Sequence, residues 1–338
     1  MRVLVLGGTN FIGPYVVRAL DRLGAEVTVY HRGLHEPDLP SGVRHIHSPR
    51  ASLPFVHFPS QLTDPAPEVV LHMFPVGGED SIAAVARFTG AAKRLVALSS
   101  GDVYRAYGRL LGTESGPLEP IPLDENAALR EVFHPYRGAA AGPADWAYHY
   151  EKILAERAIM SSRALPGTVL RLPAVYGPGD PHRRLRPYIK RMDDARPAIL
   201  LDALQAIWRW THGYVENVAE AIARAAVDRR AIGRVYNIGE PDVPTVTERV
   251  RQIGREARWD GAIVSIPARH LPQHLRAPYE TRQNLVMDVR RFSAELDFIE
   301  PVTKEEGIRR TIAWERANPL TDGDPGAAEY AAEDSAMS

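Results

Sequence analysis

The 338-residue sequence contains no cysteine. This absence excludes disulfides, thiolate nucleophiles and zinc or iron–sulfur centres held by cysteine. It is consistent with a reducing cytoplasm, where we expect the protein to reside. An excess charge of either sign is also lacking, because 41 lysine and arginine residues are balanced by 42 aspartate and glutamate residues. The protein as a whole therefore has no field that would gather nucleic acid or an anionic membrane, and we expect neither partner.

Long apolar runs are missing as well. No uninterrupted apolar stretch is long enough to cross a bilayer, and the chain enters a predicted strand directly after Met1, without a basic leader and an apolar segment. The composition that remains, 45% hydrophobic and 25% charged residues, is ordinary for a globular protein. A chain of this length predicts one large domain, or one large domain with a smaller appended lobe.

The first twenty residues combine a strand, a glycine turn and a helix. Arg2 to Leu6 is apolar and of strand length, Gly7, Gly8 and Gly13 follow, and apolar residues recur at helical spacing from Ile12 onward. In such a unit the first glycine allows a tight turn, backbone N–H groups reach a pyrophosphate, and the last glycine lets the helix pack closely on the strand. The pattern favours dinucleotide binding over a plain strand-to-helix turn.

Strands and helices alternate along the remaining chain, which predicts a doubly wound, Rossmann-like α/β fold with a parallel sheet and a smaller C-terminal substrate lobe. We assign residues 1–172 mainly to an NAD(P)-binding domain and residues 173–318 mainly to the substrate lobe, with segments that return to the core. Residues 319–338 contain Gly, Ala, Ser and acidic residues but no Lys or Arg, and are predicted to be disordered.

Two features follow the second and third predicted strands. The second strand ends in His31 and Arg32 with no carboxylate, which favours NADP(H) over NAD; the alternative is that Arg32 stacks on adenine or faces solvent. His45 and His47 would share one face of the third strand, as two metal ligands do. Apart from His57, no third ligand follows at a suggestive spacing, so we predict a solvent-facing pair and no metal site.

Candidate catalytic groups come from two segments. Ser100 follows the fifth predicted strand, at an edge of the sheet where ligands bind in open α/β folds. Tyr148 and Lys152 are four residues apart, so they would share one face of a predicted helix. A nearby ammonium lowers the pKa of a phenol, whose ordinary value is about 10, and makes it a usable general acid/base. Each feature alone is also typical of a turn or a surface pair, whereas their order is specific.

Three motifs resemble those of the extended short-chain dehydrogenase/reductases, the family of NAD(P)-dependent sugar epimerases and dehydratases. Gly7–Gly13 (GGTNFIG) resembles the cofactor fingerprint, Ser99–Tyr104 resembles the Ser-Ser-x-x-Val-Tyr segment, and Tyr148–Lys152 resembles Tyr-x-x-x-Lys. The resemblance implies that Tyr148 is the base, Lys152 activates it and binds the ribose, and Ser100 holds the substrate oxygen. It implies cofactor contacts at Gly7, Thr9, Asn10, Phe11, Ile12, Gly13, His31, Arg32, Tyr148 and Lys152.

Several positions depart from the family pattern. Asn10 replaces the middle glycine of the fingerprint, a change that asparagine tolerates through its access to left-handed backbone. Residues 48–50 (SPR) stand where an aspartate commonly contacts adenine, Ala174 occupies a substrate-binding asparagine position, and Gly101 removes one of two acids that dehydratases use. Candidate substrate contacts are Asp102, Tyr150, Arg184 and Arg209.

The resemblance implies hydride transfer at a hydroxyl-bearing carbon of a small molecule such as a sugar or sugar nucleotide, with epimerisation or net oxidation as outcomes and dehydration disfavoured. The alternative is an RNA-binding or NAD(P)-sensing protein of the atypical branch, which keeps the fold without turnover. Family members often dimerise through two helices, so a homodimer is left open. The Pro- and Gly-rich insertion from Arg105 to Ala144 predicts a lid or an inert surface loop with equal weight.

Overall fold

The computed structural model describes residues 1–48 and 53–337. Its strands in chain order are β1 (Arg2–Leu6), β2 (Glu26–His31), β3 (Arg44–His47), β4 (Val69–His72), β5 (Arg94–Ser100), β6 (Gly167–Leu172), β7 (Ala174–Tyr176), β8 (Ala198–Asp202), β9 (His212–Tyr214), β10 (Val235–Asn237) and β11 (Ala262–Ile266). Its α-helices are α1 (Ile12–Arg22), α2 (Gly78–Phe88), α3 (Arg105–Leu111), α4 (Trp146–His149), α5 (Lys152–Met160), α6 (Arg186–Asp193), α7 (Ala203–Ile207), α8 (Val215–Val227), α9 (Val246–Ala257), α10 (Arg290–Leu296), α11 (Lys304–Ala317) and α12 (Ala327–Met337).

Seven strands form one parallel sheet in the order β3-β2-β1-β4-β5-β6-β10. The chain builds from β1 toward one edge and then from β4 toward the other, so the direction of winding reverses between these two strands. Ligands of such sheets bind in the crevice outside the carboxyl ends of the strands at this reversal. The predicted doubly wound, Rossmann-like fold is confirmed.

The central strands are buried on both faces, which explains why their sequences are continuously apolar rather than alternating. In β1 the four residues Val3 to Leu6 are all buried. Helix α1 presents Val16, Val17 and Leu20 to the core and packs against α8, which lies later in the chain. Residues after β6 therefore contribute to the nucleotide-binding half, and β10 pairs with β6 through Val235 opposite Val169.

The remaining strands form two small parallel pairs, β7 with β9 and β8 with β11. Helix α9 packs against β11, α7 packs against β8, and α6 packs against α9. Two of the helix starts carry the side-chain caps that their sequences predict, because Thr245 accepts a hydrogen bond from the N–H of Glu248 at the start of α9 and Thr303 does the same for α11. None of the described helices is both long and apolar enough to cross a membrane.

The C-terminal segment differs from its prediction of disorder, since α12 occupies residues 327–337 and docks on α6. Its Glu333 is buried and accepts hydrogen bonds from Arg191 and from His274, the latter at 3.0 Å. Asp324 accepts from Arg186 at 2.9 Å. The basic residues of α6 therefore meet the acidic residues of the tail, and this charge pairing orders a segment whose composition alone predicts disorder.

Candidate active site

A cavity of about 1000 Å³ lies at the carboxyl ends of the strands, over the reversal point of the sheet. Its position is the one that the fold reserves for a ligand. Its lining includes Gly7–Gly13, His31, Arg32, Phe55, His72, Phe74, Ser100, Trp146, Tyr150, Lys152 and Arg184. The cavity therefore extends from the glycine turn to the side chains that follow β5.

The glycine turn after β1 fits a pyrophosphate. Gly7 and Gly8 have φ angles of 90° and 88°, a region that favours glycine, and a Cβ on Gly13 would lie 2.3 Å from the carbonyl carbon of Gly8. No side chain caps the start of α1, so apart from the Gly13 N–H, which donates to the Asn10 carbonyl at 2.9 Å, the backbone N–H groups there have no side-chain competitor for a ligand. Among the non-glycine residues of this turn, Phe11 has a positive φ angle, 42°, whereas Asn10 does not.

The predicted ribose contacts lie at the far end of the cavity. The side chain of His31 is buried and its Nε2 lies 3.0 Å from Nδ1 of His45. Arg32 is exposed, and its guanidinium lies 5.9 Å from the ring centre of Phe55. Residues 49 and 50 of the altered adenine segment lie outside the described residues, and Ser48 lines the cavity.

Tyr148 and Lys152 do not share a helix, contrary to the sequence prediction. Helix α4 ends at His149, Tyr150 and Glu151 have extended backbone angles, and α5 begins at Lys152. Tyr148 consequently does not line the cavity, and the centre of its ring lies 4.7 Å from the Arg137 guanidinium carbon.

Glu151 holds this helix break. Its carboxylate caps α5 by accepting the N–H of Ile153 at 2.9 Å and also accepts the N–H of His134 at 2.6 Å. The same carboxylate lies 3.3 Å from the Arg130 guanidinium, and both side chains are fully buried. Its own N–H donates to the carbonyl of Val76 at 2.8 Å. The break is thus fixed by partners from the insertion and from the loop after β4, which helix spacing cannot reveal.

Tyr150 occupies the place that the sequence assigns to Tyr148. It is buried, and its hydroxyl donates to Oδ2 of Asp102 at 2.7 Å. Ser100 lies close enough to lower the Tyr150 pKa, and the Lys152 ammonium lies 5.3 Å from the centre of the Tyr150 ring. The structure therefore brings Ser100, Asp102 and Lys152 together around Tyr150.

Burial shifts the pKa values of Asp102, Tyr150 and Lys152. It raises the pKa of the Asp102 carboxyl, and the phenol of Tyr150 has its pKa raised well above 10 by burial and then by the Asp102 charge. The Lys152 pKa falls to about 8 through burial, despite the nearby carboxylates. Its ammonium donates to two backbone carbonyls, those of Pro75 at 2.6 Å and Leu98 at 3.2 Å. A free phenolate at Tyr150 is accordingly disfavoured, whereas Asp102 is a better proton acceptor than an exposed aspartate.

Two tyrosines of the insertion extend this network. The Tyr136 hydroxyl donates to Oδ2 of Asp102 at 3.1 Å, and the hydroxyls of Tyr136 and Tyr107 lie 2.9 Å apart. Trp146 packs edge-on to Tyr150 with ring centres 5.4 Å apart and also contacts Phe74 at 6.3 Å. The sequence analysis missed Tyr107 and Tyr136, because an insertion without periodicity gives no signal of where its side chains point.

Of the two arginines predicted to bind substrate, Arg184 lines the cavity and Arg209 does not. Arg184 lines the cavity and donates from Nη1 to Asp180 at 2.7 Å and to the carbonyl of Val175 at 3.0 Å. Arg209 is exposed, and its backbone N–H donates to Asn284 at 2.8 Å, outside the cavity lining. Only Arg184 is placed to meet a ligand in this cavity.

Comparisons with known proteins agree with this geometry. The sequence profile of the NAD dependent epimerase/dehydratase family matches residues 72–239, which include the β5 end and Lys152. A UDP-N-acetyl-alpha-D-glucosaminuronate decarboxylase of Bacillus cytotoxicus is 24% identical, over 93% of this chain and 98% of that protein.

Two solved structures share the fold. The epimerase Mth375 of Methanothermobacter thermautotrophicus is 19% identical with a TM-score of 0.66, over 94% of this chain and 92% of that one. The UDP-glucuronic acid 4-epimerase of Bacillus cereus, solved with UDP-glucuronic acid and NAD, is 16% identical with a TM-score of 0.64, over 94% and 99%. The profile match over residues 72–239 assigns the chain to the NAD-dependent epimerase/dehydratase family, and the two solved structures share its fold.

Proposed function

We propose that this protein is an NAD(P)-dependent enzyme that interconverts a hydroxyl and a carbonyl group on its substrate, with Tyr150 as the group that moves the hydroxyl proton. The observation that carries this proposal is the contact of the Tyr150 hydroxyl with Asp102 at 2.7 Å, beside Ser100 and Lys152 at the end of the cavity. Tyr148, four residues before the lysine, lies outside this group.

Tyr150 can transfer a proton without forming a free phenolate. In the oxidation direction its oxygen accepts the proton of the substrate hydroxyl while its own proton passes to Oδ2 of Asp102. The raised pKa of the Asp102 carboxyl favours this acceptance. In the reduction direction the carboxylic acid returns the proton through Tyr150 to the substrate oxygen, so the same pair serves as acid and as base.

Ser100 helps to position the substrate oxygen, and Lys152 stabilises the charge that develops on it. The Ser100 hydroxyl and Tyr150 both line the cavity close to each other, so a substrate oxygen placed at the Tyr150 hydroxyl lies near both groups. The Lys152 ammonium is buried and places a positive charge beside the ring of Tyr150, which stabilises negative charge that develops on oxygen. A nicotinamide coenzyme, when bound, supplies or accepts the hydride. Whether the product is an epimer or a ketone depends on whether the carbonyl form is re-reduced before release.

For the substrate we propose a sugar nucleotide, which the names of the decarboxylase and of the Bacillus cereus epimerase support for those proteins. Arg184 is the cationic side chain that we assign to its phosphates. The preference for NADP over NAD, suggested by His31 and Arg32, is part of this proposal. The homodimer and the cytoplasmic location stay predictions from the sequence. All three quoted relatives are enzymes by name, which gives no support to the RNA-binding alternative.

The experiment has a cofactor stage and a chemistry stage. Titration of the full chain with NADPH and with NADH, read by nicotinamide fluorescence and by melting temperature, should show binding of at least one, and no binding of either would overturn the proposal.

Turnover of UDP-glucuronic acid and UDP-glucose would then be followed by chromatography in Tyr150→Phe and in the matched control Tyr148→Phe. Loss of a general acid/base should lower kcat about 100-fold or more in Tyr150→Phe, with cofactor binding retained, while Tyr148→Phe stays near wild type. The reverse ranking would return the role to Tyr148.

A further inference from the structure

Three imidazoles and one carboxylate meet at the carboxyl ends of β2 and β3. We call His31, Glu36, His45 and His47 the histidine cluster. Nε2 of His31 lies 3.0 Å from Nδ1 of His45, and Nε2 of His47 lies 2.8 Å from Oε1 of Glu36. The other Glu36 oxygen lies 3.5 Å from Nδ1 of His45. Three potential metal ligands therefore converge outside the catalytic end of the cavity, and His47 joins them through Glu36.

The parallel pairing of β2 and β3 creates this convergence. His31 is the register partner of His47, and His45 lies two residues earlier on β3, so all three side chains lie on one face of the two strands. Glu36 comes from the loop after β2 and closes the cluster from its exposed side. The sequence analysis found no third ligand for His45 and His47, because the third ligand comes from a neighbouring strand rather than from the local spacing.

The spacing of the donor atoms suits a metal ion of ordinary size. The ligand atoms of His31, Glu36 and His45 all lie within 4.8 Å of one another. Zinc binds histidine nitrogen and carboxylate oxygen at about 2.0–2.2 Å in a tetrahedral arrangement, so neighbouring ligand atoms must lie a few ångströms apart. We propose that the histidine cluster is a zinc site, with His31, Glu36 and His45 as the ligands that already lie together and His47, which contacts Glu36, as the fourth ligand once the metal draws it in.

Charge distinguishes this proposal from an anion site. Protonated imidazoles near the ribose could in principle hold a phosphate, but the Glu36 carboxylate contacts both His45 and His47 and would repel it. A cation gains from the same carboxylate. The cluster as folded is thus complementary to a positive ion, since it combines neutral nitrogen donors with one negative oxygen.

Zinc binding requires one rearrangement of a proton. The N–H of Gly33 donates to Nδ1 of His31 at 3.2 Å, so without metal the ring proton of His31 resides on Nε2 and points to His45. Coordination through Nε2 would move that proton to Nδ1 and end the Gly33 hydrogen bond. Metal binding would therefore end two hydrogen bonds of His31, one with His45 and one with the Gly33 N–H, and replace them by coordination through Nε2.

The test uses the full chain after treatment with a chelator, and zinc ion alone as the probe. Equilibrium dialysis with metal analysis should show one tightly bound zinc per chain, and cobalt substitution should give the visible absorption of a tetrahedral site. The His45→Ala/His47→Ala double variant and the conservative Glu36→Gln variant should each weaken zinc binding at least tenfold. His35→Ala, an exposed histidine of the same loop, is the matched control and should bind as wild type does.

Melting temperature and circular dichroism would show that each variant is folded. The proposal is overturned if wild type takes up no zinc, or if the cluster variants bind it as tightly as wild type. Zinc uptake and cobalt absorption do not depend on turnover, so failure of the zinc proposal would leave the proposed function intact, and failure of the proposed function would leave the zinc proposal intact.

Discussion

Arg130 and Glu151 form a fully buried ion pair beside the helix break, and its disruption should destabilise the protein strongly. The two charged groups are 3.3 Å apart, and neither side chain has any exposed surface. Replacing Glu151 by glutamine keeps the size of the side chain but leaves the Arg130 charge without a counter-charge. An uncompensated buried charge of this kind costs about 3–5 kcal/mol in the free energy of unfolding.

A second substitution separates the charge from the other contacts of Glu151. The glutamine oxygen can still accept one of the two backbone N–H groups, from His134 or Ile153, that the carboxylate accepts. In the Arg130→Met/Glu151→Gln variant the unpaired charge is gone, so we expect the double variant to recover most of the loss, to within about 2 kcal/mol of wild type.

Urea unfolding followed by tryptophan fluorescence measures these differences directly. Glu131→Gln is the matched control, because Glu131 pairs with Arg105 with its side chain 77% exposed, and its replacement should change the free energy of unfolding by less than about 0.5 kcal/mol. The reasoning is refuted if Glu151→Gln stays within about 1 kcal/mol of wild type, or if adding Arg130→Met deepens the loss instead of reducing it.

Two further outcomes are expected from buried charges elsewhere. The pKa of Lys152 is 10.5 in the unfolded chain and falls to about 8 in the folded chain. As the pH rises from about 8 to 10.5, the free energy of unfolding of wild type, measured relative to Lys152→Met, should therefore rise by about 3 kcal/mol. A difference that stays constant across this pH range would contradict the burial of the ammonium. Glu333→Gln should lower the free energy of unfolding in urea by about 3 kcal/mol because it leaves Arg191 unpaired, and a change below about 1 kcal/mol would contradict the docked tail.

Much of the fold could be predicted from local sequence patterns. The strand and glycine turn at Arg2–Gly13 carry their own signal, since only glycine suits the positive φ angles and the close approach of α1 to the turn. The strand at Arg94 and the cap at Thr245 are read in the same way, from apolar runs and capping spacing. Such features depend on residues a few positions apart, which is the range that sequence periodicity covers.

The features that could not be predicted depend on long-range contacts. A continuous helix through Tyr148 and Lys152 satisfies the local spacing, but Glu151 finds partners in the insertion and the chain leaves the helix for two residues. The third histidine of the cluster comes from the adjacent strand. The tail forms a helix because Arg191 lies opposite Glu333. In each case the deciding partner is distant in the sequence.

The helix break has a consequence for how this protein can change. Because Arg130 and His134 hold Glu151 in place, the insertion determines which tyrosine enters the cavity. A loop without Arg130 and His134 would lose these contacts and with them the restraint that keeps the two short helices apart. The insertion and the helix break therefore form one structural unit, in which a substitution on one side is felt on the other.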